Sequence, residues 1–143
     1  MVQMTRRKTA VTCGELAHDV LREIPDLLPK VMKSTGESSV RCRGLIEEVI
    51  RFLTLVAMHE ARLTPSMKVD LAWHEFILFT KTYASVCERN FGRFIHHNPS
   101  DDKAENKAGF RRTLDLYKRS FGPVPREFWG VDPTVECGNC GNR

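Results

Sequence analysis

The sequence predicts an all-α fold, a compact bundle of about four to five helices with a flexible, cysteine-bearing C-terminal tail. Three observations carry that expectation. Apolar residues recur at three- and four-residue intervals in several segments, the spacing of one helix face. Caps, prolines and glycines punctuate the gaps between those segments. No segment alternates apolar and polar residues as a half-buried strand would, and no repeat is visible, which leaves helix packed on helix.

The bulk numbers agree. With 143 residues, 41% hydrophobic and 28% charged, the chain suits a single soluble domain. The expected organisation is a helical domain over 11–134, a basic N-terminal extension over 1–10 and a Cys-x-x-Cys tail over 135–143. No apolar run reaches the ~18 residues of a membrane span. Arg6, Arg7 and Lys8 are followed by no long apolar core, so the N-terminus does not read as a signal peptide. A cytoplasmic protein with no membrane partner is the expectation. The net charge of +4 is mild, and its basic clusters (Arg6-Arg7-Lys8, Arg41/Arg43, Arg111-Arg112) are scattered among 18 acids. A dedicated nucleic-acid binder concentrates its charge on one face. Scattered clusters are ordinarily solvated surface.

Thr12-Cys13-Gly14-Glu15 has the form of a capping box opening the first helix, with Leu16, Val20 and Leu21 on one stripe and Pro25 ending it. Leu27, Leu28, Val31 and Met32 continue for a turn or two. Ser34 to Ser39 is a loop by composition. From Val40, the residues Leu45, Ile46, Val49, Ile50, Leu53, Val56 and Ala57 mark the strongest amphipathic helix. Thr64-Pro65 suggests a new cap with proline at the first helical position. One long helix is expected from there to Phe91, closed by Gly92. Ser100 or Asp101 caps a further helix that turns Phe110, Leu114 and Tyr117 inward and ends at Phe121-Gly122. Phe128 and Trp129 then pack the chain back on the body.

The long helix and the connector behind it concentrate the chemistry. The run Val69-Asp70-Leu71-Ala72-Trp73-His74-Glu75-Phe76-Ile77-Leu78, then Tyr83, Cys87, Phe91-Gly92 and His96-His97-Asn98-Pro99, resembles the glycine-rich domain-containing protein-like family in its short microbial form. Phe121-Gly122, Trp129 and the cysteine tail extend the similarity, which spans roughly Leu45 to Cys140. Larger plant members carry a W-H-x-H run, and here its second histidine position is Phe76. The resemblance implies no established activity for the short form. It singles out Asp70, Trp73, His74, Tyr83, Cys87, His96 and His97 without assigning them roles.

Aspartate, cysteine and histidine together are the ligand types zinc favours, so zinc is the candidate cofactor. Spacing divides the candidates. Asp70 and His74 lie one turn apart on a helix face and reach a common point. His59 joins them if the preceding helix runs back antiparallel. On an unbroken helix Cys87 lies roughly 20 Å along and about 140° around from His74. From His74 to Gly92 is about 27 Å of helix, and five extended residues return at most about 17 Å. Two subclusters are therefore expected: Asp70/His74 with His59, and Cys87 with His96 or His97. Trp73, Ile77, Tyr83, Phe91 and Gly92 form the structural core of the motif. At each position the competing reading is ordinary: a buried thiol at Cys87, a hydrogen-bonded His74–Asp70 pair, a packing histidine at His96 or His97.

Cys137 and Cys140 have the spacing of half a zinc knuckle, which needs two further ligands. They are otherwise exposed thiols able to oxidise to one another. The expected function is a small binding or interaction module with a zinc site built from these residues. One alternative is an adaptor for nucleic acid or protein using the basic clusters. Another is a small hydrolase or transferase with Asp70-His74 as acid and base. There is no glycine-rich phosphate loop and no H-E-x-x-H run.

Overall fold

The helix Ser39–Met58 (α3) is the axis of the computed structural model, which describes residues 11–130 and, as backbone, 140–141. Its buried residues (Cys42, Leu45, Ile46, Glu48, Val49, Ile50, Phe52, Leu53, Leu55 and Val56) leave little of its circumference to solvent. A helix apolar on most sides must be covered on most sides. Helices α1 (Cys13–Glu23), α2 (Leu27–Thr35), α4 (Met67–Ile77), α5 (Thr80–Phe91) and α6 (Lys103–Phe121) all pack on it, and the short α7 (Arg126–Trp129) docks on α4. The fold is all-α. Among the described residues it has seven helices, more than the expected number, because the long segment divides and α7 forms. No described helix is long and apolar enough to cross a membrane. The expected extension over 1–10 and most of the expected tail lie outside the described residues.

Local chemistry explains most boundaries. Both arms of the capping box form at α1: Glu15 N–H donates to Thr12 Oγ1 (3.0 Å) and Thr12 N–H to the Glu15 carboxylate (3.1 Å). Ser38 caps α3 by accepting from Arg41 N–H. Two starts differ from expectation. Helix α4 is capped by Ser66, which accepts from Val69 N–H and donates to the Phe128 carbonyl (2.6 Å), so one hydroxyl both starts α4 and holds α7. Thr64 instead points its backbone N–H at Thr113 Oγ1 on α6 (3.0 Å). Helix α6 is capped by Asp102, whose carboxylate accepts from Glu105 N–H, while Ser100 Oγ accepts from Asp102 N–H.

The largest departure is the break between α4 and α5 at Leu78-Phe79. Phe79 leaves helical geometry (φ −87°, ψ 69°) and its N–H reaches the Phe76 carbonyl, three residues back, at 3.1 Å. Trp73 and Tyr83 are ten residues apart, about 15 Å along a straight helix. Yet Trp73 Nε1–H donates to the Tyr83 hydroxyl at 3.0 Å, and the Phe76 and Tyr83 rings meet edge-on at 4.9 Å. A bend is the only way to make both contacts. All three rings are fully buried, so tertiary packing overrides a sequence with no proline or glycine at the bend.

After Gly92, in the left-handed conformation that ends α5 (φ 79°), the connector returns along α4. Ile95 is buried in the core, and the Tyr83 hydroxyl donates to its carbonyl at 2.6 Å. The connector then forms β1 (Asn98–Pro99), paired antiparallel with β2 (Cys140–Gly141), with Pro99 opposite Cys140 and Asn98 opposite Gly141.

Candidate functional site

The bend and the returning connector together build one corner of the molecule. Trp73, at the centre of α4, is fully buried against Phe52 of α3, with ring centroids 5.3 Å apart. Its indole is anchored to Tyr83, and Tyr83 is anchored to the connector at Ile95. That chain of two hydrogen bonds sets where the next residues fall. Two residues past Ile95, the His97 imidazole lies over Trp73, centroid to centroid 4.2 Å. His97 Nε2 meets Asp70 Oδ1 at 2.8 Å, with only 10% of the His97 side chain and 17% of the Asp70 side chain exposed. A carboxylate is an acceptor only, so Nε2 carries the proton shared with Asp70. Nδ1 has no hydrogen-bond partner among the described residues. His74, on the solvent side of α4, brings its ring within 5.6 Å of the His97 ring, edge-on.

This arrangement cuts across the expected partition. Asp70 pairs with His97 rather than with His74, one turn away on its own helix. The premise of an unbroken helix fails at Leu78-Phe79, and the connector reaches a carboxylate that straight-helix arithmetic assigned to the other subcluster. A half-buried carboxylate gains more from a partner arriving out of water than from an exposed neighbour. His59 does not join them: it caps α3 and lines a shallow cavity with Glu60, Arg112, Asp115 and Leu116 beside α6. Its Nε2 is buried without a hydrogen bond among the described residues. His96 is exposed and packs edge-on to Phe94, since neighbours in extended chain face opposite ways.

Cys87 is fully buried on α5, beside the Tyr83 hydroxyl and the Ile95 backbone. Burial pushes its thiol up from the usual cysteine range, so it is a protonated packing group. Burial, and then the neighbouring Cys87, likewise drives the Tyr83 hydroxyl well above its ordinary value and keeps it a neutral donor. Of the other motif residues, Ile77 and Phe91 are half-buried and Gly92 is the cap of α5. Among the described residues, no three His, Cys, Asp or Glu side chains are grouped to hold a metal ion. Cys137 lies outside the described residues, and Cys140 enters only through the backbone register of β2.

A second polar cluster escaped the sequence reading. Glu48, in the buried face of α3, accepts from Tyr117 Oη (2.6 Å) and Trp129 Nε1 (2.8 Å) on the same Oε1. Arg51 donates to the Tyr117 hydroxyl at 2.7 Å and to Glu47 at 2.8 Å. Burial raises the Glu48 carboxyl above its usual range, although the two donors and Arg51 pull the other way. The cluster ties α6 and α7 to α3. Its signal was legible: Glu48 falls between Leu45 and Phe52, at three- and four-residue spacing, inside an otherwise apolar stripe.

Compared with known families, residues 21–121 match the one described as UCP032817-like. The chain belongs to the UCP032817-like family. That corrects the resemblance read from the W-H run and the paired histidines, since the matching family is an uncharacterised one and nothing indicates a glycine-rich domain-containing family. Neither a curated protein nor a solved structure matches the chain. The UCP032817-like match spans α2 through α6 and so takes in Trp73, Tyr83, Asp70, His74 and His97, while α7 and the tail lie beyond it.

Proposed function

We propose that the His97 corner is a zinc site and that this UCP032817-like chain is a small helical metal-binding module. One observation carries the reading: His97 has one ring nitrogen fixed on Asp70, and the His74 ring lies 5.6 Å from its own, centroid to centroid. Metal-ligating histidines almost always give their second nitrogen to a carboxylate or carbonyl, which sets tautomer and orientation. With Zn–N near 2.1 Å and tetrahedral angles, two ligating imidazoles have centroids about 5 Å apart. The 5.6 Å between the His74 and His97 rings is close to that spacing.

Two imidazoles alone make a weak site. The β1–β2 register supports a source for the other ligands: Cys140 stands opposite Pro99, two residues along from His97. Cys137 precedes it at the C-x2-C spacing of zinc-binding thiolates. Asp70 acts in this reading by orienting His97, and Cys87 and His59 take no part. A site closed by two imidazoles and two thiolates leaves no position for substrate, so it stabilises and orders the chain rather than catalysing.

Elemental analysis of the purified full chain tests this. About one zinc per chain is expected, lost in His97→Ala and in Cys137→Ser/Cys140→Ser. Protein that is metal-free, and whose melting temperature is unmoved by added zinc or by chelator, would reject it.

A further inference from the structure

The net positive charge of the chain is concentrated on one helix. Within α6 there are six Lys and Arg against two Asp and Glu, a surplus equal to the +4 of the whole chain, so everything else is neutral on balance. Both acids of α6 are occupied: Glu105 pairs with Arg62 at 3.0 Å, and Asp115 with Arg119 at 2.9 Å. Lys107, Arg111 and Lys118 are exposed and form no ion pair among the described residues. Their separations of four and seven residues keep them within about 40° of one another, along roughly 16 Å of helix. Arg112, on the adjoining edge, is held by its Nε on the Arg62 carbonyl (3.0 Å). The Arg41 cluster offers no equivalent, because Arg41 lies between Glu37 and Glu127 at 3.8 and 3.9 Å.

We infer that the outer face of α6 is a docking surface for the phosphate backbone of double-stranded nucleic acid. A row of cations at helical spacing complements a partner whose negative charge repeats regularly, about every 3.4 Å per strand. A protein partner would ask for an apolar centre within the patch. No exposed apolar residue stands in this row: Phe110 and Tyr117 are buried on its inner flank, and Leu114, which shares its arc between Arg111 and Lys118, is half-buried. The lack of an exposed aromatic on this face also removes the stacking platform that single strands use. Contacts limited to phosphate make binding weak, independent of base sequence and governed by counterion release.

Fluorescence anisotropy of a labelled duplex of about 20 base pairs, titrated with the full chain, tests the inference. Three neutralised phosphates give a slope of log K against log salt near −2.7, about a forty-fold loss of affinity between ~50 and ~200 mM salt. Lys107→Gln, Arg111→Gln and Lys118→Gln should each flatten the slope by about 0.9. The triple reversal Lys107→Glu/Arg111→Glu/Lys118→Glu should abolish binding, while Lys30→Glu/Lys33→Glu on α2 leaves it unchanged. All five side chains are exposed, and helical circular dichroism confirms that the variants fold. No binding at ~50 mM salt, or binding that survives the triple reversal, would overturn it. Capture by phosphatidylserine vesicles in place of the duplex would overturn it too. Metal content plays no part in this readout, so the zinc reading stands or falls separately.

Discussion

Replacing Tyr83 by phenylalanine removes one oxygen and leaves two buried groups without partners. The Trp73 indole N–H (3.0 Å) loses its acceptor, and the Ile95 carbonyl (2.6 Å) loses its donor. Trp73, Tyr83 and Ile95 are each 0% exposed, so water has no ready access to either group. A buried polar group left unmet costs about 1–3 kcal/mol, which places the variant roughly 2–4 kcal/mol below the parent. At about 2.1 cal/mol/K per residue of unfolding entropy, a loss near 3 kcal/mol lowers the melting temperature by roughly 10 °C. Urea unfolding is the assay, and the midpoint should fall while the slope stays constant. The loss should shrink in a Trp73→Phe background, where the indole donor is already absent, and that coupling isolates the pair. A loss below about 0.5 kcal/mol would refute the reasoning, because it would mean that this hydroxyl does not hold the connector to α4.

Glu48 gives a pH-dependent prediction. Its folded value is raised above the ordinary 4.5, chiefly by burial, so the folded chain holds this proton more tightly than the unfolded chain does. Its contribution to stability therefore declines as pH climbs from 4.5 through the raised folded value, and the penalty is present in full above that. Glu48→Gln keeps an acceptor for Tyr117 and Trp129 but does not titrate. Urea midpoints across that window should move in the variant's favour as pH rises, and parallel profiles would contradict this. At Gly109, an added Cβ would overlap Thr64 Oγ1 and lie 3.2 Å from Thr64 Cβ and 3.4 Å from its backbone nitrogen. Gly109→Ala should therefore cost about 1–3 kcal/mol by thermal melting, despite a helix-propensity gain of up to about 1 kcal/mol, with partial recovery in Thr64→Ala.

What the sequence discloses and what it withholds divide by range. The Thr12 box, the Gly92 cap and the amphipathic run of α3 involve residues within a turn or two of one another, and all of them form. The start of α4 moved from Thr64 to Ser66 because Thr64 is drawn to Thr113 on α6, a partner 49 residues away. The bend at Leu78-Phe79 has no local cause. It arises from burying Trp73, Phe76 and Tyr83 together and satisfying the indole N–H, and spacing arguments assume it away. Once the helix bends, Asp70 and His97 become neighbours, and the division of candidate ligands into two separate groups dissolves. The residue types at the site were therefore readable and their pairing was not. The charge surplus is the opposite case: it lies within one contiguous helix, and helical spacing alone puts Lys107, Arg111 and Lys118 on one face.

Cobalt(II) titration of the full-length chain bears most directly on the claim that His97 is a metal ligand. Thiolate and imidazole in tetrahedral array give intense visible and near-ultraviolet bands that saturate at about one ion per chain, and zinc displaces them. The account predicts those bands for the parent chain, their loss in His97→Ala and in Cys140→Ser, and weaker metal affinity in Asp70→Asn. A faint, octahedral spectrum that is the same in parent and His97→Ala protein would contradict it.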